Sequence, residues 1–406
     1  TYQGGTTLAA GTLRVGNGAA LGSGDLTVTG PATLGSTQAR TLNNNVTLNQ
    51  SLALDLSNDL ALAGTIGGAG GLVANGAGTL TLAGANTFGG GTQISGGNLV
   101  VGANTSLGAG DLTVNGAATL QSLTGVALAN NVTLNGSALT VSGANDVALS
   151  GVVAGGGSLV KQGANTLTLS GANTFQGGIT LAQGGLRVGS SQTLGSGALT
   201  VTGASTLDST QAVTLANAVA LNGGNLTVAG ANDITLGGAV SGANGLVKNG
   251  SGTLTLSGNN NYAGDTTLAS GTLAANSNTA LGTGALTVSG AANLTAADGV
   301  TLANNVTLNN TLTATGAGNL TLAGVVGGAG GLVKQGSGTL TLTGANTYTG
   351  NTQLNAGGLT GDTGSIRGNI ATAANTTLTF NQGSNGTFAN VLSGAGNLEK
   401  SGAGSL

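Results

Sequence analysis

The chain contains no Cys, His, Met or Trp. Without Cys it has no disulfides, and without Cys or His it lacks the ligands of ordinary zinc sites. The missing His also removes the usual general base at neutral pH. Charge is scarce: eight Lys plus Arg face eleven Asp plus Glu in 406 residues. With three Tyr and four Phe as its only aromatics, the chain lacks the basic patch and the stacking rings that nucleic-acid capture needs. No run of 18 apolar residues exists, so no helix spans a membrane. The acids are scattered singly, which leaves no carboxylate pair for glycosidase-type chemistry. Strings such as GGAGGL at 67–72 precede strands, not helices, so a dinucleotide fingerprint fails its context. We expect no catalytic residue, no metal site, no cofactor and no enzyme.

What the chain has in excess is glycine, 81 residues of it, beside 39% apolar residues and a net charge of −3. There is no three-residue period, which excludes collagen. The apolar content is too high, and the charge too low, for a disordered chain. The glycines are expected in turns.

The sequence repeats itself. GGLVANGAGTLTLAGANTFGG at 70–90 returns at 157–177, 244–264 and 330–350, with starts 87, 87 and 86 residues apart. The repeat divides one solenoid fragment, 1–406, into units at 1–69, 70–156, 157–243, 244–329, 330–395 and 396–406. It opens in mid-unit and stops early in another, as a piece of a longer array would. Within each unit, runs such as TLTL (79–82), DLTV (111–114) and NVTL (131–134) alternate Leu or Val with Thr, Ala or Asn. Period two marks strands with one buried face. Eleven such runs per unit, three to a turn, predict an all-β parallel solenoid of about 18 rungs of roughly 22 residues, some 85 Å long. A propeller blade needs four longer strands in about 40–45 residues, and a leucine-rich repeat needs a fixed 20–29-residue period. Neither fits. A single rung is too poor in core to offset its ordering entropy, so rungs must stack cooperatively.

Several positions recur once per unit: Leu72, Leu159, Leu246 and Leu332; Phe88, Phe175, Tyr262 and Tyr348, with Tyr2 in phase; and Asn86, Asn173, Asn260 and Asn346. The aromatics are expected to plug the core rather than to form a binding stripe. Asp59, Asp146, Asp233 and Asn319 share another phase and read as turn closers bonding their own backbone. The Asn pairs 44–45, 130–131 and 304–305 suit left-handed turns. Lys161, Lys248 and Lys334, replaced by Ala74 in the first unit, read as solvated charges, as do Arg14 and Arg187.

The repeated block resembles the passenger-associated transport repeat of bacterial type V autotransporters. Gly331, Leu332, Lys334, Gly336, Gly338, Thr339, Leu340, Leu342, Gly344, Asn346, Thr347, Tyr348 and Gly350 carry its pattern. The resemblance implies a right-handed parallel β-helix, export to the cell surface, and an outer-membrane β-barrel outside this chain. Copies this alike, without large insertions, leave no loop long enough to build a catalytic site. The expected function is adhesion or self-association through a Thr/Asn-rich surface, with a host surface, a glycan or like copies as partners. The alternative is a stalk that displays another domain. An ice- or crystal-binding face is a third reading, although ATLQS, GVALA and GVVAG interrupt the outward Thr.

Overall fold

In a computed structural model, which describes residues 2–406, every regular element among them is a β-strand and the strands pair in parallel. The chain divides into two compact units, Thr1–Ser205 and Thr206–Leu406.

In the first unit, strand pairs recur about one turn apart. Thr6 pairs with Leu26, Leu26 with Val46 and Val46 with Ile66, each step 20 residues. Each turn crosses three faces. The first carries Thr6–Leu8 through Ile66–Gly67 and resumes at Val126–Leu128; the second begins at Gly11–Val15; the third begins at Arg40–Leu42. The unit is thus a parallel β-solenoid of about ten turns. The second unit has the same construction and a similar number of turns: Leu246 pairs with Thr266, Thr266 with Leu286 and Leu286 with Val306. The turns are shorter than the expected 22 residues. Gly corners need fewer residues than the alternating pattern suggested, so about 20 turns form where about 18 were expected.

The pattern within a strand follows from the pleat. In Leu112–Val114 the two apolar residues are buried and Thr113 lies at the surface; Val132–Leu134 repeats this one turn on. Columns of Leu, Val and Ile therefore stack inside each unit. Corners depend on glycine where the backbone turns left-handed. Gly163, at φ 75°, lies so close to the previous turn that a Cβ would stand 2.5 Å from the carbonyl oxygen of Gly143.

The sequence copy and the turn are incommensurate. Four turns carry the column of Leu72 through Thr92, Leu112 and Val132 to Val153. Leu159, the next copy of Leu72, lies on the adjacent face, paired with Leu139 and Ile179. In the second unit the column of Leu246 ends at Val326, and Leu332 again lies on the next face, paired with Leu312 and Thr352. Each copy is about four and one-third turns long, so it starts a third of a turn beyond the copy before it.

Candidate functional site: repeat corners and the outer surface

Once per copy a face loses its strand. In the first unit the strand column ends at Ile66–Gly67, and residues 86–88 occupy the next turn without strand pairing. The Asn amide replaces the missing ladder. Asn86 Oδ1 accepts from Ile66 N at 2.8 Å, and its Nδ2 donates to Ser106 O at 2.6 Å, which ties three successive turns together. Asn173 does the same between Val153 and Thr193, Asn260 between Val240 and Ala280, and Asn346 between Val326 and Ser365. All four are buried.

Two residues further on, the aromatic ring enters the core. Phe88, Phe175 and Tyr262 are fully buried, and Tyr348 is 2% exposed. Tyr2 is 47% exposed. The buried hydroxyls need partners. Tyr262 Oη lies 2.6 Å from Thr266 Oγ1, and Tyr348 Oη lies 3.0 Å from Thr352 Oγ1. Burial pushes Tyr262 up to about 12 and raises Tyr348 as well. Beside Phe175 the corresponding residue is apolar Ile179; beside Phe88 it is Thr92, whose buried Oγ1 has no partner. The core leucines Leu72, Leu159, Leu246 and Leu332 are buried without exposure.

The recurring lysines are not solvated charges. Lys161, Lys248 and Lys334 are 0%, 2% and 3% exposed. Each runs inside the solenoid and turns its ammonium to backbone carbonyls at a corner. Lys161 Nζ donates to Gln162 O, Gly163 O, Gln183 O and Asn165 Oδ1 at 2.7 to 3.2 Å. Lys248 and Lys334 reach Gly250 O and Gly336 O, each at 2.8 Å. Burial lowers all three from the ordinary lysine value, Lys161 to about 8. The apolar stem accounts for the inversion: it fills a core column, and the oxygens of a left-handed corner satisfy the head. Where Ala74 replaces Lys, Leu56 of the preceding turn replaces Gly143, Gly230 and Gly316 of the other copies. Leu56 is fully buried beneath that corner, its N–H donating to Asn75 O and its carbonyl accepting from Gly78 N. Arg14 and Arg187 are exposed; Arg14 pairs with Asp55, whose carboxyl is held down chiefly by Ser57.

Two further expectations are corrected. Asp59, Asp146, Asp233 and Asn319 bond the next turn rather than their own backbone, accepting from Thr79, Thr166, Thr253 and Thr339 N at 2.7 to 2.8 Å. The Asn pairs are not left-handed, since Asn375 is the only described non-Gly residue with positive φ. Asn44, Asn130 and Asn304 instead donate to glycine carbonyls of the preceding turn, Gly24, Gly110 and Gly284 at 2.6 to 2.7 Å. In a solenoid the nearest unpaired backbone group lies one turn away, not one residue away.

The outer strand positions are held mainly by Thr, with Ala, Asn, Gln, Ser and Val, and Arg14 and Arg187 interrupt them. In the second unit Thr301, Thr321, Thr341, Thr360 and Thr379 stand in register on five successive turns. Shallow hollows interrupt the surface, among them one around Arg40, Asp59 and Thr79 and one around Asn351, Gln353 and Asn369. Among the described residues no group of three acids could hold a metal ion, and no helix is long and apolar enough to cross a membrane.

Five segments match the family model of the passenger-associated-transport-repeat: residues 1–15, 72–101, 159–188, 246–275 and 332–360. Among curated proteins and solved structures, none matches the chain. The four segments from residue 72 onward coincide with the corners described above, from the core leucine through the Asn clasp and aromatic ring to the following strand.

Proposed function

We propose, from the premise that this chain is a run of passenger-associated-transport repeats wound into a parallel β-solenoid, that it acts at a bacterial cell surface as a non-enzymatic adhesive or self-associating segment. The observation that carries this reading is the division of labour across the strands. Lys161, Lys248 and Lys334, the core Asn and the buried rings are turned inward, and outer columns such as that from Thr301 to Thr379 hold neutral hydrogen-bonding side chains at one-turn spacing. Many weak, alike contacts then add through avidity without any single strong site. Scarce charge keeps repulsion between like surfaces low. The match to the repeat family supports export to the cell surface. Host surface, glycan and like copies are all partners of suitable chemistry.

The test is a sedimentation and attachment assay on bacteria displaying the protein with and without residues 72–360. Faster clumping or stronger attachment with the repeats present supports the reading. Equal behaviour of the two strains overturns it.

A second reading has its own support. The residues that define the repeat motif, Leu72, Asn86 and Phe88 and their copies, face the core. The motif itself is therefore scaffolding, as a stalk displaying another domain requires. Binding per molecule that stays constant when one copy is deleted favours the stalk.

A further inference from the structure

Successive copies of the repeat do not present their outer residues on the same side. In the first unit, the run GTLRV and its two later copies form strands Gly11–Val15, Asn98–Val101 and Gly184–Val188. These lie on the second, third and first faces respectively, so Arg14, Val100 and Arg187 point three ways. The central outward threonine of TLTL behaves alike. Thr81 stands on the third face, between Ala61 and Val100, and Thr168 on the first, between Ala148 and Arg187. In the second unit Thr255 and Thr341 likewise occupy different faces, the one beside Thr235 and Ala274, the other beside Thr321 and Thr360. The cause is the extra third of a turn in each copy. A flat partner lying along one face would meet a given copy-borne feature only at every third copy. A partner able to approach from all sides meets every copy.

We infer that the chain associates with further copies of itself on all three faces, forming a bundle in which every repeat takes part rather than a two-chain pair joined along one face. The inference rests on the self-association reading above. Like copies are the occupants that the surface chemistry favours. The central outward positions of TLTL are uncharged in all four copies and half-buried by their neighbours. A like chain brings the same neutral hydroxyls, at the same one-turn spacing of about 4.8 Å, and the same rotation from copy to copy. Away from the outward Arg14 and Arg187, charge complementarity then takes its simplest form, neutral against neutral.

The experiment uses the full chain in four single variants, Thr81→Lys, Thr168→Lys, Thr255→Lys and Thr341→Lys, with the matching Thr→Ser variants as controls. Folding of each is checked by far-ultraviolet circular dichroism, and association by sedimentation velocity over a concentration series. Association of all four Lys variants weakened by a similar factor, roughly three- to tenfold at low salt and less at high salt, with the Ser variants unchanged, supports the bundle. Loss confined to one Lys variant, or to Thr81→Lys and Thr341→Lys, which lie three copies apart, overturns it in favour of a one-faced contact and leaves self-association standing. A wild-type chain that stays monomeric at every concentration overturns both. If a Lys variant fails to fold, Thr→Asp at the same position replaces it under the same criteria.

Discussion

At the scale of single residues, the corners record small covariations between side chains that touch. Tyr262 and Tyr348 have threonine partners, and Phe175 has isoleucine, but Phe88 leaves the Thr92 hydroxyl buried and unpaired. Phe88→Tyr should complete that pair and stabilise the chain by about 1 kcal/mol, the ordinary net worth of a hydrogen bond. Thr92→Val should give a gain of similar sign by removing the orphan. Urea unfolding with an unchanged m-value measures both. The lysine cages give a pH dependence. Burial holds Lys161 at about 8 when folded, against 10.5 for a free lysine. Between those values the unfolded chain binds the proton more often, so stability rises with pH across this window and the cost is fully present below pH 8. The unfolding midpoint of the wild type should therefore climb from pH 8 to 10.5 more steeply than that of Lys161→Met. The Leu56 and Ala74 pair supplies a third test. Ala74→Lys alone should destabilise by about 1–3 kcal/mol through overpacking, and Leu56→Gly added to it should restore part of the loss; a double-mutant cycle measures the coupling.

At the scale of elements, the strands were legible and the corners were not. Alternation in TLTL, DLTV and NVTL located Thr79–Leu82, Leu112–Val114 and Val132–Leu134 because a pleat forces period two. The recurrence of Phe88 and its copies marked a corner, and burial of the rings agrees with the plug expected there. The role of Asn86 was not legible. Its partners Ile66 and Ser106 each lie 20 residues away in sequence and one turn away in space. The lysines misled for a related reason: a charged residue beside Gln and Gly resembles a surface turn, and only the converging carbonyls of two turns make burial tolerable. Asn260→Ala should cost roughly 2–5 kcal/mol, because it leaves Val240 N and Ala280 O unpaired inside the core. Asn260→Asp, which keeps the acceptor and loses the donor, should also destabilise. Chemical denaturation ranks the two, and a cost below about 1 kcal/mol for the Ala variant would show that the clasp is not what closes the broken face.

At the scale of the whole molecule, the repeat length governs what changes are tolerated. Deletion of residues 72–158 joins Gly71 to Leu159, the counterpart of Leu72 in the next copy, and should leave a folded chain with a proportionately smaller m-value. Deletion of ten residues within one turn breaks the column register and should not fold cooperatively; circular dichroism during urea titration separates the cases. The sequence by itself determined the all-β class, the unit length and the inward columns, because these follow from periodicities of two and of about 87 residues along one chain. The tertiary structure alone decided which way each copy faces and which polar groups are interior. Both depend on the path length of one turn, about 20 residues, and that length is set by stacking against neighbouring turns. Four such turns fall short of a copy by a third of a turn.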